Sequence, residues 1–378
     1  MTDIAESASL LEPTLVTRLA GVVADSPLAA AIATRAEATR QAEASARALF
    51  DTVDAARLSP RERYAFALAT AETHADATLV AHYGERLAAA GGAPREDARF
   101  VAALRHARRI AAEPVRAQAA DLRGLEALGW SADAILTIVQ IVAFTSFQGR
   151  LVGGLRLLAG DPRGTASPAV EVGAGIWHAS PVTTGGRLAP TAFTRDSLGW
   201  EPWLAPRDRV TLSAREIETL ERNGHLDSDY FMLLARDLPL LDHRTRTDKG
   251  IFYTPGGLKR AERELAATVT SKVNGCVFCA SVHARKAAQL SGETEAIDSL
   301  LAVVPGADLA AGQSPRWQAQ IRFAAQFAAT PAAATVDHVA RLREQGLDDL
   351  ELLDLVQSVA FFSWANRLML TLGEPYVA

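Results

Sequence analysis

Read for its apolar and polar positions, the chain divides into runs that suit helices separated by glycine and proline breaks. Helix pairs are predicted over residues 61–90 and 259–290, the second broken at Asn274-Gly275. Helices over 98–112 and 316–329 are closed by Pro114 and Pro331. Those over 117–128 and 335–345 end at Gly129 and Gly346, which suit a left-handed cap. Two long apolar helices follow, 132–158 and 348–372, with Ser131 and Asp348 near their starts. No convincing alternation of apolar and polar residues marks a strand. The expected fold class is all-α.

These runs repeat. The stretch from Leu128-Gly129 to Arg150 lines up with Gln345-Gly346 to Arg367 at a constant offset of 217 residues. Pro114 then matches Pro331, Arg105 matches Arg322, Gln140 matches Gln357, and Val142-Ala143-Phe144 matches Val359-Ala360-Phe361. A second block aligns at an offset of 200, where Glu62-Arg63 meets Glu262-Arg263 and Leu58 meets Leu258. The difference is an insertion between about Gly292 and Pro315. The chain is therefore expected to hold one helical unit twice, as residues 1–160 and 211–378. Residues 161–210 would connect them, and hold Pro162, Pro168, Pro181, Pro190, Pro202 and Pro206. Trp177, Trp200 and Trp203 lie in the same stretch, which favours a docked arm over a flexible linker.

With 378 residues, 49% hydrophobic and 22% charged, the composition is that of a globular protein with room for two domains. A net charge of −5 gives no sign of nucleic-acid or anionic-membrane binding. The longest apolar run, 134–144, suits a buried helix, and no stretch is expected to span a bilayer. The first residues, Met1-Thr2-Asp3-Ile4-Ala5-Glu6, lack the marks of a signal peptide, and two cysteines make no secreted disulfide framework. A cytoplasmic location is expected.

Those two cysteines, Cys276 and Cys279, stand three residues apart in Asn-Gly-Cys-Val-Phe-Cys, and His283 follows four residues later. On a helix the three positions fall within about a 60° arc. Two sulfurs and an imidazole would share one face near a helix N-terminus, where unpaired N–H groups stabilise a thiolate. Such a dithiol can attack a peroxide oxygen, form a sulfenic acid and condense to a disulfide. Nothing points to a flavin or nicotinamide site; Gly173 and Gly175 make no dinucleotide fingerprint.

The segment from about 235 to 378 resembles the AhpD-like alkylhydroperoxidase family of the carboxymuconolactone decarboxylase superfamily. The resemblance rests on Glu264, eleven residues, Cys276, two residues, Cys279, three residues and His283. Residues from about 20 to 160 resemble it weakly, through the repeat. The resemblance implies an all-helical fold and a thiol peroxidase. Cys279 would be the peroxidatic cysteine, Cys276 the resolving one, and Glu264 with His283 a proton relay. It also implies a hydroperoxide substrate, an external dithiol or redox protein as reductant, no cofactor and no metal. The best-known members carry a His between the cysteines; here Phe278 takes that place. In the first copy the matched positions hold Tyr64, Asp76, Leu79 and Tyr83, so that copy has no thiol.

Blander readings stand beside this one. The cysteines could be inert core residues, or ligate zinc with His283 and Glu264. Glu264 could be a surface helix residue, since Arg260 and Arg263 offer partners. His74, His82, His106, His178, His225, His243 and His338 read as surface or satisfied structural histidines. Arg150 and Arg367 read as ion-pair or carbonyl-binding residues, and Phe144, Phe147, Phe361, Phe362 and Trp364 as core or interface. As functions, a decarboxylase or lactone-processing enzyme and a redox-sensing scaffold are the alternatives. Family members form rings of six units, so a chain with two units is expected to form a homotrimer. Light scattering at micromolar concentration should give three times the chain mass, and a monomeric mass would contradict that expectation.

Overall fold

The computed structural model describes residues 13–51, 54–55, 57–161, 172–178 and 180–378. Its first half runs through α1 (Leu15–Ala20), α2 (Pro27–Thr34), α3 (Ala36–Phe50), α4 (Pro60–Thr73) and α5 (Ala77–Ala89). It continues through α6 (Ala98–Ala112), α7 (Ala119–Ala127) and the long α8 (Ala132–Leu158). The connecting arm carries β1 (Leu198–Pro202). The second half holds α9 (Ala214–Asn223), α10 (Asp229–Leu234), α11 (Leu238–Phe252), α12 (Arg260–Asn274) and α13 (Val277–Ser291). It ends with α14 (Thr294–Ala302), α15 (Pro315–Ala328), α16 (Val336–Glu344), α17 (Asp349–Thr371) and β2 (Gly373–Val377). The fold is all-α.

Local chemistry sets most of these boundaries. Ser59 caps α4 and Glu62 returns the bond, while Asp348 and Glu351 do the same for α17. Ser131 and Ser314 cap α8 and α15. Gly129 and Gly346 follow α7 and α16 with φ of 85° and 81°, in the left-handed region. The starts of α4 and α5 recur 200 residues on, at Arg260 and Val277. Those of α6, α7 and α8 recur 217 residues on, at Pro315, Val336 and Asp349.

The structure corrects the sequence reading in several places. Two short strands exist: β1 pairs antiparallel with β2, Trp200 opposite Pro375. Neither shows alternation because neither forms one face of a sheet core; they tie the arm to the end of the chain. The helix expected over 117–128 begins two residues later, after a 3₁₀ turn at Pro114–Arg116. α8 is long and apolar enough to cross a bilayer by length and composition, against the expectation that no stretch is, and 94% of its most apolar window is buried inside the protein. His106 is buried with neither ring nitrogen hydrogen-bonded, so it is not a satisfied histidine.

The arm is docked over its described residues. Ala174 exchanges backbone hydrogen bonds with Ala307 and Gly306, and Gly175 N–H donates to the Lys272 carbonyl at 2.9 Å. Trp200 is buried and its indole donates to the Met369 carbonyl at 3.1 Å; that of Trp203 donates to Glu374 at 2.9 Å. Pro162 and Pro168 lie outside the described residues.

The centre of the molecule is the crossing of α8 and α17. Phe144 meets Trp364 and Phe147 meets Phe361 edge to face there, Phe147 lies tilted against Trp364, and Trp364 donates to Gln140 at 3.0 Å. The helices touch closely at Gly154, where an added Cβ would stand 2.4 Å from Val356 Cγ1 and 3.0 Å from Phe327 Cζ. Gly154→Val should therefore lower stability by about 1–3 kcal/mol in urea unfolding, with secondary structure retained by circular dichroism.

Candidate active site

Two helices and the turn between them build the site. α12 ends at Gly275, which holds φ of 78° and reverses the chain into α13. The turn also needs glycine for space, because a Cβ there would lie 2.1 Å from the Ile176 carbonyl oxygen of the arm. Cys276 is the N-cap of α13, Cys279 sits in its first turn and His283 one turn further on. Both thiols are free, and they are 1% and 5% exposed. At the matched place in the first half, Asp76 accepts hydrogen bonds from the Thr78 and Leu79 amides and so caps α5. Cys276 makes no such side-chain cap.

α12 brings Glu264 beneath His283. The carboxylate is fully buried. Its Oε2 is in a very short hydrogen bond with His283 Nδ1, and its Oε1 accepts from Arg260 Nε at 2.6 Å. Burial alone would raise this carboxyl; the bond and charge of His283, then Arg260, outweigh it and hold Glu264 below the usual carboxylate range. The surface-helix reading of Glu264 therefore fails. The edge of Phe362 from α17 packs on the His283 ring at 4.3 Å, and Phe252 from α11 lies 6.0 Å away. The His283 side chain is 15% exposed, so the Glu264–His283 pair reaches solvent on this side.

Cys276 faces the other way. Its amide donates to the Ser271 carbonyl at 2.8 Å, and Asn274, Asn366 and Ser271 form a buried hydrogen-bonded chain beneath it. A cavity of about 60 Å³ beside it is roofed by the arm and chain end, including His178, Ser180, Trp200 and Glu374. Burial first, then the neighbouring Cys279 thiol, push Cys276 well above the usual thiol range. Phe278 is half-buried and lines the same cavity.

The four residues singled out by spacing are thus brought into one place: Glu264 and His283 in contact, the thiols on the first turn of the same helix as His283. Among the described residues no three His, Cys, Asp or Glu side chains converge to hold a metal ion. In the first half the matched residues form no relay. Tyr83 donates to Gln148 at 2.5 Å, Arg86 donates to Tyr64 at 2.7 Å, and both tyrosines pack on Phe50. Sequence reasoning missed the arm as roof, the Asn366 network, and Tyr230, Arg244 and Asp248 on α10 and α11. Only a finer alignment of α10 and α11 with α2 and α3 could have singled out the last three.

Residues 239–326 match the model of the carboxymuconolactone decarboxylase family. The matched span contains Glu264, Cys276, Cys279 and His283. No curated protein matches the chain.

Glu264 has its folded pKa below its unfolded value of about 4.3, so its contribution is present above that pH and lost as pH falls through the folded value. Glu264→Gln should cost about 1–3 kcal/mol near pH 7. The gap from wild type should shrink below about pH 4, and melting curves at both pH values check this.

Proposed function

We propose that this chain is a thiol-dependent peroxidase that reduces a hydroperoxide through Cys279 and Cys276. The observation that carries the reading is the buried Glu264–His283 contact, one helical turn from Cys279, with both thiols free. Cys279 is the attacking residue: it lies on the first turn of α13, on the face that carries His283. Its proton passes to the His283–Glu264 pair. The thiolate then attacks the terminal peroxide oxygen, the O–O bond breaks, and the sulfur is oxidised to a sulfenic acid. The departing alkoxide takes a proton back from His283. Cys276, which burial keeps as a thiol, then attacks the sulfenic sulfur, forming the disulfide and releasing water. An external dithiol restores the pair by exchange.

On this reading the chain is two diverged copies of one helical unit, residues 1–160 and 211–378, joined by an arm at 161–210. The second copy keeps the chemistry, and the first keeps the packing surface that completes the core. The family match also fits a decarboxylase or lactone-processing enzyme, whose activity would not need the dithiol.

Intact mass and free-thiol count after one equivalent of an organic hydroperoxide separate these. Wild type should lose both thiols as a disulfide, Cys276→Ser should hold a trappable sulfenic acid, and Cys279→Ser should not react. Two unreactive thiols in folded wild type would overturn the peroxidase reading.

A further inference from the structure

Three polar side chains on α10 and α11, close to the aromatic wall of the site, are not used by the Glu264–His283 pair. Tyr230 is 7% exposed and its hydroxyl has no hydrogen-bond partner. Arg244 is 6% exposed and its Nε is likewise unpartnered. The guanidinium lies over Phe361 at 5.0 Å, with Tyr230 and Trp364 at 5.9 and 6.0 Å. Phe361 adjoins Phe362, whose edge packs on His283, so one aromatic wall serves both the imidazole and the guanidinium. Asp248, one turn along α11, stands within electrostatic reach of Arg244, His283, Glu264 and Lys286. The Tyr230 ring packs edge to face with Trp200 at 5.3 Å, and Trp200 lines the cavity beside Cys276.

A buried cation and a buried hydroxyl with open donors are costly to keep, by several kcal/mol in general. The fold does not require them. α3 and α11 are both fifteen residues long and begin and end 202 positions apart. Arg63 donates to the Leu49 carbonyl and Arg263 to the Ile251 carbonyl, which fixes that register. At the same register the first half places Leu28, Ala42 and Ala46 where the second has Tyr230, Arg244 and Asp248. Buried arginines that hold helices together, Arg63 with Arg263 and Arg150 with Arg367, occur in both halves. The Tyr–Arg–Asp set occurs only where the thiols do.

We propose that Arg244 and the Tyr230 hydroxyl are the donors that stabilise the departing peroxide oxygen when Cys279 attacks. The inference rests on the peroxidase reading above. As the S–O bond forms and the O–O bond breaks, negative charge gathers on the leaving oxygen. Fixed donors aimed at that charge in a water-poor site act on the transition state more than on the resting enzyme. The proton that neutralises the alkoxide comes from His283.

The test compares two reagents on Cys279: a hydroperoxide, which expels an oxygen anion, and a neutral alkylating agent, which does not. Arg244→Met should fold with a melting temperature close to that of wild type, because methionine keeps the apolar stem and removes an Nε that has no hydrogen-bond partner. Its rate with hydroperoxide should fall about 10²-fold, and its alkylation rate by less than about threefold. Tyr230→Phe should lose about tenfold with hydroperoxide alone, and Arg244→Lys should recover part of the Arg244→Met loss. Equal losses with both reagents, no loss with hydroperoxide, or a lowered melting temperature with unchanged rates would overturn the proposal. Wild-type thiols that alkylate but ignore hydroperoxide would instead overturn the peroxidase reading, and this proposal with it.

Discussion

Arg150 and Arg367 each leave their own half of the molecule to finish a helix of the other. Arg150 donates to the carbonyls of Phe327, Ala328 and Ala329 at the end of α15, and Arg367 donates to that of Ala111 at the end of α6. Both also reach Thr330 Oγ1 at 3.2 Å. Burial lowers both guanidinium pKa values, that of Arg150 to about 10. The partial negative charge at each helix end offsets that burial. Neither half can complete its own helix ends without the other, so α8 and α17 are held at one crossing. Gly154 lets them come close enough for this.

The position of α17 decides what the thiols meet. The helix carries Asn366 beneath Cys276 and Phe362 against His283, and its Phe361 faces Arg244. α12 and α13 pack on it together, so the two cysteines, the imidazole and Glu264 share a fixed wall. The arm closes the opposite side. Its backbone bonds to Lys272 and Ala307 and its Trp200 seat it against the Cys276 cavity, while His283 keeps its small exposure on the far side. Within two helical turns, one thiol is therefore sealed under a roof and the Glu264–His283 pair opens to solvent.

The contrast between the halves bears on what the second one is for. Positions whose task is packing keep their residue types: Arg63 and Arg263, Phe50 and Phe252, Arg150 and Arg367. Positions around the thiols do not. Tyr64 and Tyr83, in place of the Glu264–His283 pair, pack on Phe50, and Asp76 caps its helix where Cys276 makes no such side-chain cap.

Much of this was legible in the sequence, because it depends on residues near one another along the chain. Caps such as Ser131 and Asp348, the breaks at Gly129, Gly275 and Gly346, and the one-face spacing of Cys279 and His283 are local facts of helix geometry; Cys276, expected on that face too, stands at the extended N-cap and turns toward the arm. The offsets of 200 and 217 could be read because they preserve residue types. Tertiary structure alone decided the rest. Glu264 looked able to pair at a surface with Arg260, and only the packing of α11, α13 and α17 buries it against His283. Tyr230 and Arg244 sit in segments without a clear apolar period, and only packing sets them against Trp200 and Phe361. The pairing of β1 with β2 joins residues about 175 apart. Local pattern specifies which face of an element is apolar; which side chain stands opposite it is fixed by long-range packing.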